Sequence, residues 1–209
     1  MEKYCIGYLD DDKGQINNFY HLFKNEFDLK ILNIDNISEP LDIINEIIEN
    51  KLELIILDFR LDSNGKNFNA DELIKIIKNW NLYFPVLILT IHETEAFQQL
   101  DDVNIVNSKD DLEKKAALFI LKIEENIKSY KHKKEFSVNR LKELLDKKER
   151  KSLSFDEEEE YFNIYRFLND IEPSEKLLPP HLLTQQNASS LHNLLISAQE
   201  IIKLLKEEK

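Results

Sequence analysis

Four short apolar runs lead directly into residues that can do chemistry: Asp10, Asp11 and Asp12 follow the first, Asp58 a second, Thr90 a third, and Lys109 comes just after the last. Carboxylates gathered in one place repel and are costly unless a cation is present. Mg²⁺ suits them, because it takes oxygen ligands and is held by one or two carboxylates together with water and phosphate. An Asp carboxylate can also attack phosphorus and give an acyl phosphate. The transferring group then needs positive charge on its oxygens. Mg²⁺ can supply it on one side and Lys109 on another, while the Thr90 hydroxyl can donate to a remaining oxygen.

The elements that must position this set are legible as a pattern. Apolar runs at Tyr4–Leu9, Leu29–Ile34, Leu52–Leu57, Pro85–Thr90 and Val103–Val106 have the length and the Ile, Leu and Val content of buried parallel strands. Amphipathic stretches lie between them at Ile16–Phe27, Glu39–Asn50, Ala70–Trp80 and Glu93–Leu100, and Asp110 opens a longer helix through Leu118, Leu121 and Ile127. A β-α unit repeated five times, joined by right-handed crossovers, gives an α/β fold with a parallel sheet covered on both faces. Ligands of such folds gather at the carboxyl ends of the strands, where all the residues above fall.

At this point the chain resembles the response-regulator receiver family of two-component signalling. The matching segments are YLDDD at 8–12, LIILDFRL at 54–61, PVLILT at 85–90 and NSKDDL at 107–112. The resemblance covers about residues 3–130 and implies a flavodoxin-like doubly wound sheet of five strands in the order 2-1-3-4-5. It implies Asp58 as phosphoacceptor, Asp10 and Asp11 as the acidic pair for Mg²⁺, and a metal contact from the main-chain carbonyl of Arg60. It also implies that Thr90 and Lys109 sense and stabilise the phosphoryl group, while Arg60, Ile91 and His92 tune its lifetime. A histidine kinase or phosphotransfer protein is the implied donor. The chain departs from the family pattern in four places. Asp110 stands where a Pro is usual, Ile91 where a small residue gives access to the site, and Val106 where an aromatic residue swings inward. The loop DFRLDSNGKNFNADEL is longer than usual.

Composition narrows the remainder. The net charge of −12 is concentrated in residues 1–130, with 25 Asp and Glu against 14 Lys and Arg. Such a surface repels nucleic acid. A single cysteine, Cys5, excludes a disulfide framework, and it reads as a small buried hydrophobe. No apolar run is long enough for a membrane span, and the N-terminus lacks a signal-peptide core. The expectation is a soluble cytoplasmic protein. Residues 131–209 read as a helical domain of about three helices: 137–150, a second opening on a capping box at Ser154 and Glu157, and a third after Asn187 with Leu191, Leu194, Ala198, Ile201 and Leu205 on one side. These helices are expected to self-associate, to bind an effector protein, or to pack on the receiver. Lys131–Lys151 is basic, but no helix-turn-helix accompanies it, so a DNA-binding output is not expected.

Two readings follow. In the first, the protein accepts a phosphoryl group as an adaptor, phosphate sink or single-step regulator, catalysing at most its own phosphorylation and dephosphorylation. In the second, it is a pseudo-receiver that is never phosphorylated and serves as a protein-protein interaction module. A turnover phosphatase built on the same acyl phosphate needs a second Asp two residues after the nucleophile, and Arg60 stands there instead.

Overall fold

The structure, a computed structural model, describes residues 3–61 and 68–171. Five parallel strands, β1 (Cys5–Leu9), β2 (Asp28–Leu32), β3 (Leu54–Leu57), β4 (Val86–Thr90) and β5 (Val106–Ser108), lie in the order β2-β1-β3-β4-β5. This is the expected flavodoxin-like arrangement. Helices α1 (Lys13–Phe23), α2 (Asp42–Glu49), α3 (Ala70–Trp80) and α4 (Glu93–Gln99) connect the strands, and α5 (Ala116–Arg150) and α6 (Phe155–Ile171) follow them.

Alternation along each strand sorts the core into two layers. Leu9, Ile55, Leu57 and Ile88 face Ile43, Ile44 and Ile47 of α2, Leu73 and Ile77 of α3, and Ala96 of α4. Ile6, Tyr8, Leu54, Ile56, Leu87 and Leu89 face Phe19 and Phe23 of α1 and Phe119, Ile123 and Ile127 of α5. A strand buried on both faces cannot alternate polar with apolar residues, which is why LIIL is uniformly aliphatic. Gly7 is required by close packing: a Cβ there would come within 2.5 Å of Leu52 Cδ1.

Local capping explains where the elements depart from the periodicity. The fifth strand, expected at 103–106, begins at Val106, because the Asp102 carboxylate accepts from Asn104 N and folds Val103–Ile105 into a 3₁₀ turn. Asp110 does not open a helix. Residues 110–115 form turns, with Leu112 N donating to Lys109 O, and α5 starts at Ala116. That helix then runs unbroken through the separate helix expected at 137–150, since Ala116–Arg150 holds neither Gly nor Pro. Cys5 is half-buried rather than core, and its thiol donates to Asn50 O.

The chain divides into two compact units, 1–133 and 134–209. In the described part of the second, Ser154 and Glu157 form the expected capping box: Ser154 N donates to Glu157 Oε2 at 2.9 Å and Glu157 N to Ser154 Oγ at 3.4 Å. Arg140 binds Glu160 with two nitrogens, Lys147 pairs with Glu157, and Leu144, Tyr161, Phe167 and Ile171 are buried. The helix expected after Asn187 lies outside the described residues. Among the described residues no helix is long and apolar enough to cross a membrane.

Candidate functional site

Main-chain hydrogen bonds bring the carboxyl ends of four strands level. Asp58 N donates to Leu9 O at 2.8 Å, extending the β1–β3 ladder by one residue. Lys109 N donates to Thr90 O at 2.9 Å and does the same for β4 and β5. The residues that leave the sheet at this edge are therefore placed by the ladder, not by the loops.

Asp10, Asp11 and Asp58 converge there, each offering a carboxylate oxygen, and these oxygens all lie within 4.8 Å of one another. Asp10 and Asp58 are buried and Asp11 is half-buried. Lys109 Nζ sits 2.7 Å from Asp10 Oδ2 and 3.0 Å from Asp58 Oδ2, with its side chain only 5% exposed. Asp10 Oδ1 accepts from Asp12 N at 2.9 Å, and Asp58 Oδ1 accepts from Phe59 N at 2.8 Å. Burial pushes the Asp58 carboxyl up to about 6, with Asp10 adding to the rise and Lys109 opposing it. Three carboxylates thus gather around the Lys109 ammonium. Hard oxygen donors in this number fit Mg²⁺.

Asp12 has a different task from its neighbours. Its carboxylate accepts from Gly14 N at 2.6 Å and Gln15 N at 3.2 Å, which makes it the N-cap of α1. Thr90 is fully buried at the end of β4, and its hydroxyl accepts from His92 N at 3.0 Å. His92 is the N-cap residue of α4 but makes no side-chain cap bond. Ile91 is exposed. The Arg60 guanidinium turns to Glu95 of α4, with Nε 3.1 Å from Oε2 and Nη2 pairing with the same oxygen. Val106 pairs with Ile88 inside the sheet.

The geometry thus draws Asp10, Asp11, Asp58 and Lys109 into direct contact or near it. Thr90 and His92 are linked to each other at the same edge, and the side chain of Arg60 engages α4. Two participants were not foreseen from the sequence. Glu95 gives no sequence signal, since it is one of two acids in the first turn of α4. Tyr8 does: it precedes Asp10 by two residues at the end of β1, the spacing at which extended chain puts side chains on one face, and its hydroxyl donates to Asp10 Oδ2.

No family model matches the sequence, and no curated protein matches it. Among solved structures, a chain titled as adenylate cyclase from Rhodopirellula baltica is 18% identical, with a TM-score of 0.48 over 70% of this chain and 99% of that one. The RcsB response regulator of Salmonella typhimurium is 16% identical, with a TM-score of 0.42 over 90% and 98%. A fusion carrying a yeast Spc42 trimeric coiled coil is 16% identical, with a TM-score of 0.47 over 63% and 81%. At such identities and scores these are resemblances of chain path. The fold assignment rests on the strand order itself: a five-stranded, all-parallel sheet in the order 2-1-3-4-5, consistent with a receiver domain, with an acidic cluster at its carboxyl edge.

Proposed function

We propose that the first unit is a phosphoacceptor receiver whose Asp58 takes a phosphoryl group from the phosphohistidine of a histidine kinase or phosphotransfer protein. The observation that carries this reading is the focus of the cluster: Asp58 lies within 4.8 Å of the Asp10 and Asp11 carboxylate oxygens and 3.0 Å from the Lys109 ammonium. Asp10, Asp11 and Asp58, with the main-chain carbonyl of Arg60, are the oxygen donors for Mg²⁺, which when bound neutralises charge on the phosphoryl oxygens.

An Asp58 carboxylate oxygen forms the new P–O bond as the donor's P–N bond breaks, and the electron pair remains on the imidazole nitrogen. Lys109, already held against Asp58, provides a fixed ammonium for the developing phosphoryl charge. The Thr90 hydroxyl, at the same edge, is the proposed donor to a further oxygen. Water attack on phosphorus returns the carboxylate and inorganic phosphate, and Arg60 and His92, two positions past Asp58 and Thr90, are the residues proposed to set its rate. The protein then acts as an adaptor, phosphate sink or single-step regulator, with the region beyond 130 binding an effector or a second copy. Acetyl phosphate with Mg²⁺ is expected to give a base-labile phosphoprotein of the native protein and none of Asp58→Asn. No labile adduct with acetyl phosphate or with a cognate kinase would falsify the reading.

One observation favours a second reading. Lys109 satisfies Asp10 and Asp58 together, so the cluster also makes sense as a buried ion-pair network in an unphosphorylated interaction module. That reading expects Asp58→Asn to leave partner binding unchanged in pull-downs from cells.

A further inference from the structure

We infer that Tyr8 is a positioning residue of the cation site, its hydroxyl holding Asp10 in the orientation that a divalent ion uses. This rests on the proposed Mg²⁺ site and adds to it a residue outside the acidic set.

Tyr8 and Asp10 are each 1% exposed, so neither polar group is served by bulk solvent. A buried phenol needs an acceptor, and a buried carboxylate needs donors on both oxygens. Each meets the other's requirement: Tyr8 OH donates to Asp10 Oδ2, the oxygen that also takes Lys109 Nζ, while Oδ1 takes Asp12 N. The ring cannot swing away. It stacks on Phe19 at 4.0 Å between centroids, and Phe19 packs on Phe23 at 4.7 Å.

The three donors to Asp10 differ in what else they touch. Lys109 is shared with Asp58, where a phosphoryl group would draw its ammonium. The Asp12 amide is fixed by the start of α1 and holds only the other oxygen. Tyr8 alone binds Oδ2 from a rigid support, independent of what Lys109 does. Hydrogen-bonding partners that orient ligating groups in this way typically govern about 10–100-fold of metal affinity.

The test is Mn²⁺ binding to the full chain, read from the electron paramagnetic resonance of the free ion, with Mg²⁺ displacing it. Tyr8→Phe keeps the ring in its stack and removes only the hydroxyl; Phe19→Leu disturbs the stack and keeps the hydroxyl. The expected result is about tenfold weaker binding in Tyr8→Phe. In Phe19→Leu the melting temperature should fall, and affinity should weaken by less than in Tyr8→Phe, because the hydroxyl that binds Oδ2 is still present. Affinity in Tyr8→Phe that is unchanged or tighter overturns the inference, and so does equal weakening in both variants. If the unsubstituted protein binds neither ion, the cation site itself is wrong, and the role of Tyr8 falls with it.

Discussion

Lys109 is the residue on which the electrostatics of the site turn. Its ammonium is the cation shared by two buried carboxylates, and removing one member of a buried ion network leaves the others uncompensated. Lys109→Met is therefore expected to lower stability by about 3 kcal/mol in urea unfolding without added divalent cation, and saturating Mg²⁺ should recover part of that loss. The same ammonium opposes the rise of Asp58, so in this variant the Asp58 midpoint should move above 6 in a carboxyl NMR titration. The sign for stability runs opposite to that for reactivity. An acid raised on folding from 3.8 to about 6 contributes most below pH 4, and that contribution is lost as pH rises through 6. Its nucleophilic form appears over the same interval. Phosphoryl acceptance should therefore fall as pH drops below 6, against a cooperative fold that does not weaken through Asp58.

At the scale of elements, the three consecutive acids after β1 divide their labour. Asp10 and Asp11 belong to the cluster, while Asp12 caps α1. Asp12→Ala is expected to cost about 1 kcal/mol in thermal or urea unfolding, with Mg²⁺ affinity by calorimetry close to native. Loss of Mg²⁺ binding in that variant would place Asp12 among the metal donors instead. β1, β3 and β4 and their site residues were legible in the sequence because each is a short, mostly aliphatic run that leads straight into its candidate residue, Asp10, Asp58 or Thr90. What escaped was set by side chains whose partners lie off the periodic pattern. The Asp102 cap moved the start of β5, an interaction that hydrophobic periodicity does not register. The helix through Ile127 and the one expected at 137–150 were read as two; the residues between them are mostly polar, yet no breaker occurs there and pairs such as Lys128–Glu124 support a single helix. Tyr8 was counted as one more apolar strand residue, when its ring is core and its phenol donates to Asp10.

Over the whole chain, the site and the core that supports it belong to the first unit. Among the described residues, both buried clusters draw only on residues between Tyr4 and Ile127, and every residue of the acidic cluster lies before Lys109. A fragment ending at Lys133 is therefore expected to fold cooperatively and to bind Mg²⁺ with the affinity of the full chain, as measured by circular dichroism melting and calorimetry. A fragment that folds but loses the ion would assign part of the site to residues beyond 133. The lysine between the two carboxylates also bears on how the chain comes to be folded at all. Because this counter-charge is tethered to the backbone, it is present at the same local concentration whether or not the surroundings are starved of divalent metal. A newly synthesised copy can close its sheet over the acids at once without a divalent ion, so a chelator is not expected to unfold it.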